Sequence, residues 1–225
     1  LDANNGTQDI EKALYYLTLA AKRNNAIAQN TLGYIYYDKI HVPLDINKSI
    51  YYFELSANQN FADSQNKLGI IYYEGKYVKQ DINKSIMYFT HASENNNVLS
   101  QYNLGVIFMK GQHVKQDIKK AIFYFSLASN RNSPDAQYAL GIIYFEGKYV
   151  KKDINKAIQY LTKSSNQGNP NSQMILGTIL LEDRFSTQNV KEAISLFKKS
   201  AKSGSAKSCF ILGYIYHEGK YKKRN

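Results

Sequence analysis

Histidine, cysteine and paired acids are the side chains best suited to binding a metal or attacking a substrate, and in this chain they are scattered. His41, His91, His113 and His217 stand far apart, and none has a Cys, Asp or Glu at a recurring ligand spacing. No metal site and no bound cofactor is therefore expected. Cys209 is the only cysteine, at a place held by Gln65 and Gln173 in other copies of a repeat, which predicts a small semi-buried thiol and not a nucleophile. The glycines form no GxGxxG or P-loop arrangement, and Glu182-Asp183 read as a solvated helix end. No catalytic residue is expected, and the chain is read as not an enzyme.

Aromatic and aliphatic residues, in contrast, are ordered. Taking each Leu of a recurring Leu-Gly pair as origin, the positions two before, two after and five after it read Asn30/Tyr34/Tyr37, Asn66/Ile70/Tyr73, Tyr102/Val106/Met109, Tyr138/Ile142/Phe145, Met174/Thr178/Leu181 and Phe210/Tyr214/His217. On a helix these share one face. The chemistry such a strip supplies is non-covalent: burial of apolar anchors from a protein, or from an extended or helical peptide. The competing reading is helix-to-helix packing. Tyr34, Tyr37, Ile70, Tyr73, Tyr102, Val106, Met109, Tyr138, Ile142, Phe145, Met174, Phe210 and Tyr214 are the candidate partner-binding residues.

The elements that would hold this strip are set by a strict period. Leu32-Gly33, Leu68-Gly69, Leu104-Gly105, Leu140-Gly141, Leu176-Gly177 and Leu212-Gly213 step by 36 residues, the mark of a solenoid whose units bury their apolar faces only by stacking. Residues 1–8 read as the tail of a loop. Ile10, Ala13, Leu14, Leu17, Ala20 and Ala21 form one face of an amphipathic helix B that starts at Asp9. Asp45, Asp81, Asp117 and Asp153, with Asn189, take the same capping place in later copies. Asn24, Asn60, Asn96, Asn132, Gly168 and Gly204 mark a left-handed position closing helix B.

Helix A comes next, with Pro134 and Pro170 in its first turn. Its predicted buried stripe is a small residue (as Ser64), the Leu, and an aromatic four further on (as Tyr72). The mid-helix Gly implies close approach of a neighbour, for which the Ser164-Ser165 pair late in helix B is the candidate. In the A–B loop, Gly75, Gly111, Gly147 and Gly219 supply a turn, and Lys39 and Asp183 replace them in two units expected to have altered loops. A ring recurs there as His41, Tyr77, His113, Tyr149, Phe185 and Tyr221, read as a plug under the loop.

This phasing gives one solenoid over 1–225, with a lone helix B at about 9–23, five A–B hairpins at about 26–203, and a lone helix A at about 206–218. The chain begins at Leu1 without Met and stops at Asn225, and is read as a segment of a longer protein. It should expose apolar surface at both ends, where the excised piece can self-associate end to end.

Lys and Arg outnumber Asp and Glu 29 to 18, a net charge of +11. Lysines of the loop and early helix B, among them Lys79, Lys84, Lys115, Lys120, Lys151 and Lys156, align along one edge. Nucleic acid or an anionic surface is the alternative partner such an edge offers. Abundant Asn, Ile, Lys and Tyr with no Trp suit an AT-rich genome, so part of the basicity is compositional, and nucleic acid is disfavoured. One cysteine precludes an internal disulfide and favours a reducing, cytoplasmic compartment, with lumenal or secreted placement left open. No stretch is long and apolar enough for a membrane span.

The pattern Ser64-Gln65, Leu68-Gly69, Tyr72, Gly75, Val78, Asp81, Lys84-Ser85, repeated along essentially the whole chain, resembles the SEL-one-like repeat (SLR) family, a relative of the tetratricopeptide repeat. The resemblance implies an all-α, right-handed α-solenoid with helix A on the concave side and a scaffold or adaptor role. Relatives act in endoplasmic-reticulum-associated degradation, in chitin synthase activation and in bacterial signalling, envelope and host-interaction roles. Secreted bacterial members often carry a Cys pair in each repeat, which this chain lacks. A structural arm of a multidomain protein is the remaining alternative.

Overall fold

The computed structural model describes residues 3–182 and 187–218. Asp183, Phe185, Gly219 and Tyr221 lie outside them. Twelve α-helices and no strands occur among the described residues: α1 (Ala3–Lys22), α2 (Ala26–Asp38), α3 (Ile46–Ala57), α4 (Ala62–Glu74), α5 (Ile82–Glu94), α6 (Val98–Lys110), α7 (Ile118–Asn130), α8 (Pro134–Glu146), α9 (Ile154–Asn166), α10 (Pro170–Glu182), α11 (Thr187–Lys202) and α12 (Ala206–Glu218). Even-numbered helices are the A type and odd-numbered ones the B type. The chain forms two compact units, Leu1–Asp117 and Ile118–Asn225. In the first, α2 packs on α3, α4 on α5, and α2, α4 and α6 run side by side; in the second, α8 packs on α9, α10 on α11, and α8 neighbours α10.

Local chemistry sets these boundaries. The carboxylates of Asp45, Asp81 and Asp153 accept from the backbone amides of Lys48, Lys84 and Lys156 at 3.0, 2.9 and 3.0 Å, satisfying first-turn donors that have no partner within the helix. The Lys48 amide also holds the Asp45 carboxyl below its ordinary range. The B helices end on Asn24, Asn60, Asn96, Asn132, Gly168 and Gly204, all at positive φ, as their residue types predict. Pro134 opens α8 at its first position.

Three boundaries differ from the sequence reading. Helix α1 begins at Ala3, upstream of Asp9, because once a turn is nucleated each added residue brings a hydrogen bond, and nothing in Asn4–Gln8 forbids it. Helix α11 begins at Thr187, so Asn189 lies inside it. Lys39 does not alter its loop: it takes φ 58 and ψ 13, matching Gly75 at φ 63 and ψ 20. The loop closes the same way in both copies, with Asp45 N–H on the Tyr36 carbonyl and Asp81 N–H on that of Tyr72, each at 3.0 Å.

The mid-helix glycine is explained by a ring. A Cβ on Gly33 would lie 2.6 Å from Phe53, one on Gly69 2.6 Å from Phe89, one on Gly141 2.6 Å from Leu161, and one on Gly177 3.0 Å from Phe197. These large side chains from the hairpin's helix B are themselves buried, so they have nowhere to retreat. The close approach is thus to a bulky residue and not to the Ser164-Ser165 pair. Those serines do polar work: Ser164 Oγ donates to the Pro134 carbonyl at 2.7 Å, and the Ser165 carbonyl accepts from Gln173 at 3.4 Å.

The buried stripe also shifts by one residue. Leu68, Leu104 and Leu140 are buried as expected, but the second apolar position is Ile71, Ile107 and Ile143. The aromatics one residue further on are half-buried, because they stack on a helix-B tyrosine: Tyr36 on Tyr52, Tyr72 on Tyr88, and Tyr144 on Tyr160, with centroids 5.9–6.0 Å apart and planes within 6°. A lysine ammonium caps each stack, Lys48, Lys84 and Lys156 lying 5.1, 4.9 and 5.1 Å over the ring, a favourable cation–π geometry.

Buried glutamines tie successive repeats together. Gln29, Gln65 and Gln137 donate from Nε2 to the carbonyls of Ala21, Ala57 and Ser129 at the preceding helix-B end. Their Oε1 atoms accept from Gln59, Asn95 and Gln167 of the next one, at 2.6, 3.1 and 2.8 Å. Gln173 keeps the donor side, but its buried Oε1 has no partner, as is true of Gln101. The residue thirty positions beyond Gln173 is Ser203, which is too short to reach.

These contacts set measurable outcomes. Gly69→Ala should lower stability by about 1–3 kcal/mol through overpacking, while Gly213→Ala, with nothing within 4 Å of the added methyl, should raise it by up to about 1 kcal/mol; urea unfolding followed by circular dichroism distinguishes them. Ser203→Gln should supply the missing donor to Gln173 and add about 1 kcal/mol in the same assay. Burial, helped by the Glu54 carboxylate, pushes Tyr88 up to about 12, whereas an unfolded tyrosine ionises near 10. The folded state therefore keeps this proton longer, so the contribution is complete below about pH 10 and is lost as pH rises through 12. Ultraviolet titration should show one late tyrosine that Tyr88→Phe removes, with alkaline unfolding moved to higher pH.

Candidate functional site: the helix-A strip

The strip predicted from the repeat is placed by the even-numbered helices and is fastened from behind. In the first unit, Tyr34 meets Phe53 edge-on at 5.0 Å. Lys67 of α4 lays its ammonium 3.6 Å over the Tyr37 ring and 5.3 Å from that of Tyr34, and burial lowers its pKa. In the second, Tyr138 and Phe145 pack with Ile175 against the core of Leu161, Leu176 and Ile179. Met174 packs against Phe197 and its neighbours. Burial raises the hydroxyl pKa of Tyr34, Tyr37 and Tyr138. Ile70, Tyr73, Tyr102, Val106, Met109 and Ile142 are likewise half-buried, each keeping part of its surface open.

Helix α12 is different. Phe210 is 73% exposed and Tyr214 56%, since no helix B covers α12 among the described residues. Cys209 is exposed as well, against the expected semi-buried thiol. Its counterparts Gln29, Gln65, Gln137 and Gln173 are buried where a following helix B packs on their helix A, and no helix B covers Cys209 among the described residues. At the other end, Tyr15 and Tyr16 of α1 are 65% and 66% exposed.

The loop rings have another role than the plug expected of them. Tyr77 packs edge-on against Tyr37, and His113 against Tyr73, each at 5.9 Å. Each ring reaches back to the strip of the preceding repeat and supports its outermost aromatic. His41 and His113 are largely solvent-exposed. Among the described residues no cluster of His, Cys, Asp or Glu could hold a metal, and no helix is long and apolar enough to cross a membrane.

Between α4 and α6 the strip opens into a cleft of about 310 Å³. Phe89 and Ile107 form its floor, Ile70, Tyr73 and Val106 its walls, and Asn103 its middle, with Glu74 and Lys110 at the rim. The sequence pattern picked out Ile70, Tyr73 and Val106 but missed Asn103. The signal was weak: Asn103 occupies the repeat position of the bulkier Lys67 and Ile175, which cover the corresponding places in the α2–α4 and α8–α10 pairs, but also that of the smaller Ala139.

Part of the lysine edge is engaged with the protein itself. Besides the three stack-capping lysines, Lys76 lies over Tyr77, Lys148 over Tyr149 and Lys152 over Phe145, at 5.1, 5.0 and 5.4 Å. Lys48 and Lys156 also pair with Asp45 and Asp153 at 3.3 and 3.7 Å.

With this geometry the chain is similar to known repeat proteins. The Sel1 repeat model matches residues 4–25, 26–61, 62–97, 98–133, 134–169, 170–205 and 206–225. A Sel1 repeat protein from Oxalobacter formigenes has the same fold, with a TM-score of 0.80 at 28% identity over 98% of this chain and 92% of that one. A protective antigen of uropathogenic Escherichia coli with an SLR fold gives 0.52 at 26% identity, over 91% of this chain and 52% of that one. No curated protein matches this chain. Sel1-repeat proteins are generally non-catalytic scaffolds that bind other proteins. Carrying that repeat along nearly its whole length, this all-α chain of helix-loop-helix units belongs to the Sel1 repeat family.

Proposed function

We propose that this chain is an adaptor that holds a protein or peptide on its helix-A surface, the surface expected to be concave from the family resemblance. The supporting observation is the partial burial of the strip: Tyr34, Ile70, Tyr73, Val106, Tyr138, Ile142 and Phe145 are fixed by packing on one side and open on the other. Rings held in this way lose little further rotamer freedom on binding, so more of the burial energy appears as affinity. A groove of this kind suits apolar anchors presented at helical or extended spacing, with affinity of the micromolar class, about 8 kcal/mol. Catalysis plays no part in this reading. The basic edge is the weaker candidate, because several of its lysines already lie over aromatic rings of their own chain.

The test compares the parent chain with Tyr102→Ser, Tyr138→Ser and Phe145→Ser combined, after circular dichroism shows that both are helical. The parent should retain a defined protein from cells of its source, and the triple variant should lose it. Equal retention by both, or retention of nucleic acid alone that washes off with salt, would reject the helix-A surface.

A further inference from the structure

The position shared by Lys67, Asn103 and Ile175 decides whether the space between neighbouring A helices is filled. Lys67 covers it between α2 and α4 by laying its chain across Tyr34 and Tyr37. Ile175 covers it between α8 and α10 by packing on the core beside Phe145. Asn103 is less bulky than either and is polar, and between α4 and α6 a cleft of about 310 Å³ remains, bordered by the buried Phe89 and Ile107. Ile175 thus shows, in the protein's own repeat, that such a space accepts an aliphatic side chain, while Lys67 sets an ammonium over aromatic rings there.

Two polar features narrow the occupant further. The half-buried Asn103 carboxamide makes no hydrogen bond among the described residues, leaving a donor and an acceptor side by side, the pair that an extended peptide backbone presents in return. At the rim, Glu74 comes from α4 and Lys110 from α6, and neither is in a salt bridge with another described residue. A segment crossing the cleft from α4 to α6 would be complemented by a basic residue on the first side and an acidic one on the second.

We infer that the α4–α6 cleft is the anchor pocket of this adaptor, and that it takes one aliphatic side chain of an extended peptide, flanked by a base on the Glu74 side and an acid on the Lys110 side. The pocket volume is at the lower end of the range for ligand sites, room for one aliphatic side chain together with the peptide backbone on either side of it. This assignment rests on the adaptor reading and locates its main contact.

Selection of displayed random decapeptides on the whole chain tests it. Chosen peptides should share an Ile, Leu, Val or Met between a Lys or Arg and an Asp or Glu. Synthetic copies measured by fluorescence anisotropy should bind Asn103→Ile, which removes the carboxamide and sets the bulkier side chain found at Ile175 beside the cleft, at least about tenfold more weakly, while that variant unfolds at no lower temperature. Exchanging the rim charges, Glu74→Lys with Lys110→Glu, should reverse the preferred order of base and acid. Peptides that bind Asn103→Ile as well as the parent but are lost by the triple strip variant would overturn the pocket assignment and leave the adaptor reading standing. Selected peptides without an aliphatic anchor would overturn the assignment too, and failure of the parent to select any peptide would overturn both.

Discussion

The contact on which the rest of the structure depends is the seating of a helix-B ring against a helix-A backbone that has no side chain in the way. Phe53 on Gly33 and Phe89 on Gly69, repeated with Leu161 on Gly141, bring the two helices of a hairpin to a separation that any Cβ would prevent. Glycine in mid-helix costs roughly 1 kcal/mol relative to alanine. Full burial of a phenylalanine side chain contributes more than that, about 1.5–3 kcal/mol, so the exchange favours the hairpin. Once this spacing is fixed, the direction in which Tyr34, Ile70 and Ile142 leave helix A is fixed too, and so is the face on which a partner can be met.

Apolar stacking alone would let adjacent hairpins slide, because hydrophobic contact has little directionality. The buried glutamines remove that freedom. Each has an NH2 group and a carbonyl oxygen to satisfy, and Gln29, Gln65 and Gln137 engage both ends only when the helix-B ends before and after stand in register. A slip of one residue would strand buried polar atoms, at about 1–3 kcal/mol for each. The ladder therefore specifies register, while the Gly–ring contact specifies distance. The Oε1 atoms of Gln101 and Gln173, which have no hydrogen-bond partner among the described residues, mark two places where the register constraint is relaxed.

How much of this was legible in the sequence depended on the range of the interaction. Caps were readable because they are local: Asp45 and its own Lys48 amide, or Asn60 and its own φ, need no third party. Family and fold class were readable because the period multiplies a weak signal. The partner of Gly69 was not, since Phe89 lies twenty residues away and a serine pair offered the same small-residue logic. Lys39 misled for another reason. A left-handed residue favours glycine without requiring it, and the surrounding loop, closed by Asp45 on Tyr36, was strong enough to hold a lysine there. Cys209 was misread because its column was judged from Gln65 and Gln173, which a helix B covers, although the same phasing expected apolar surface at the ends, where Phe210 is exposed.

The candidate site shows the same division more sharply. Its aromatics were visible as a column, but its open volume lies beside Asn103, a residue notable only for being less bulky than Lys67 and Ile175. Repeat proteins separate their positions into those that set distance and register and those that face outward with no structural duty. At the first kind, substitution damages the frame, as a Cβ on Gly69 would. At the second, a change of length leaves the frame standing and alters only what the surface can hold. A lysine, an asparagine and an isoleucine at one repeat position are therefore three surfaces on a single backbone.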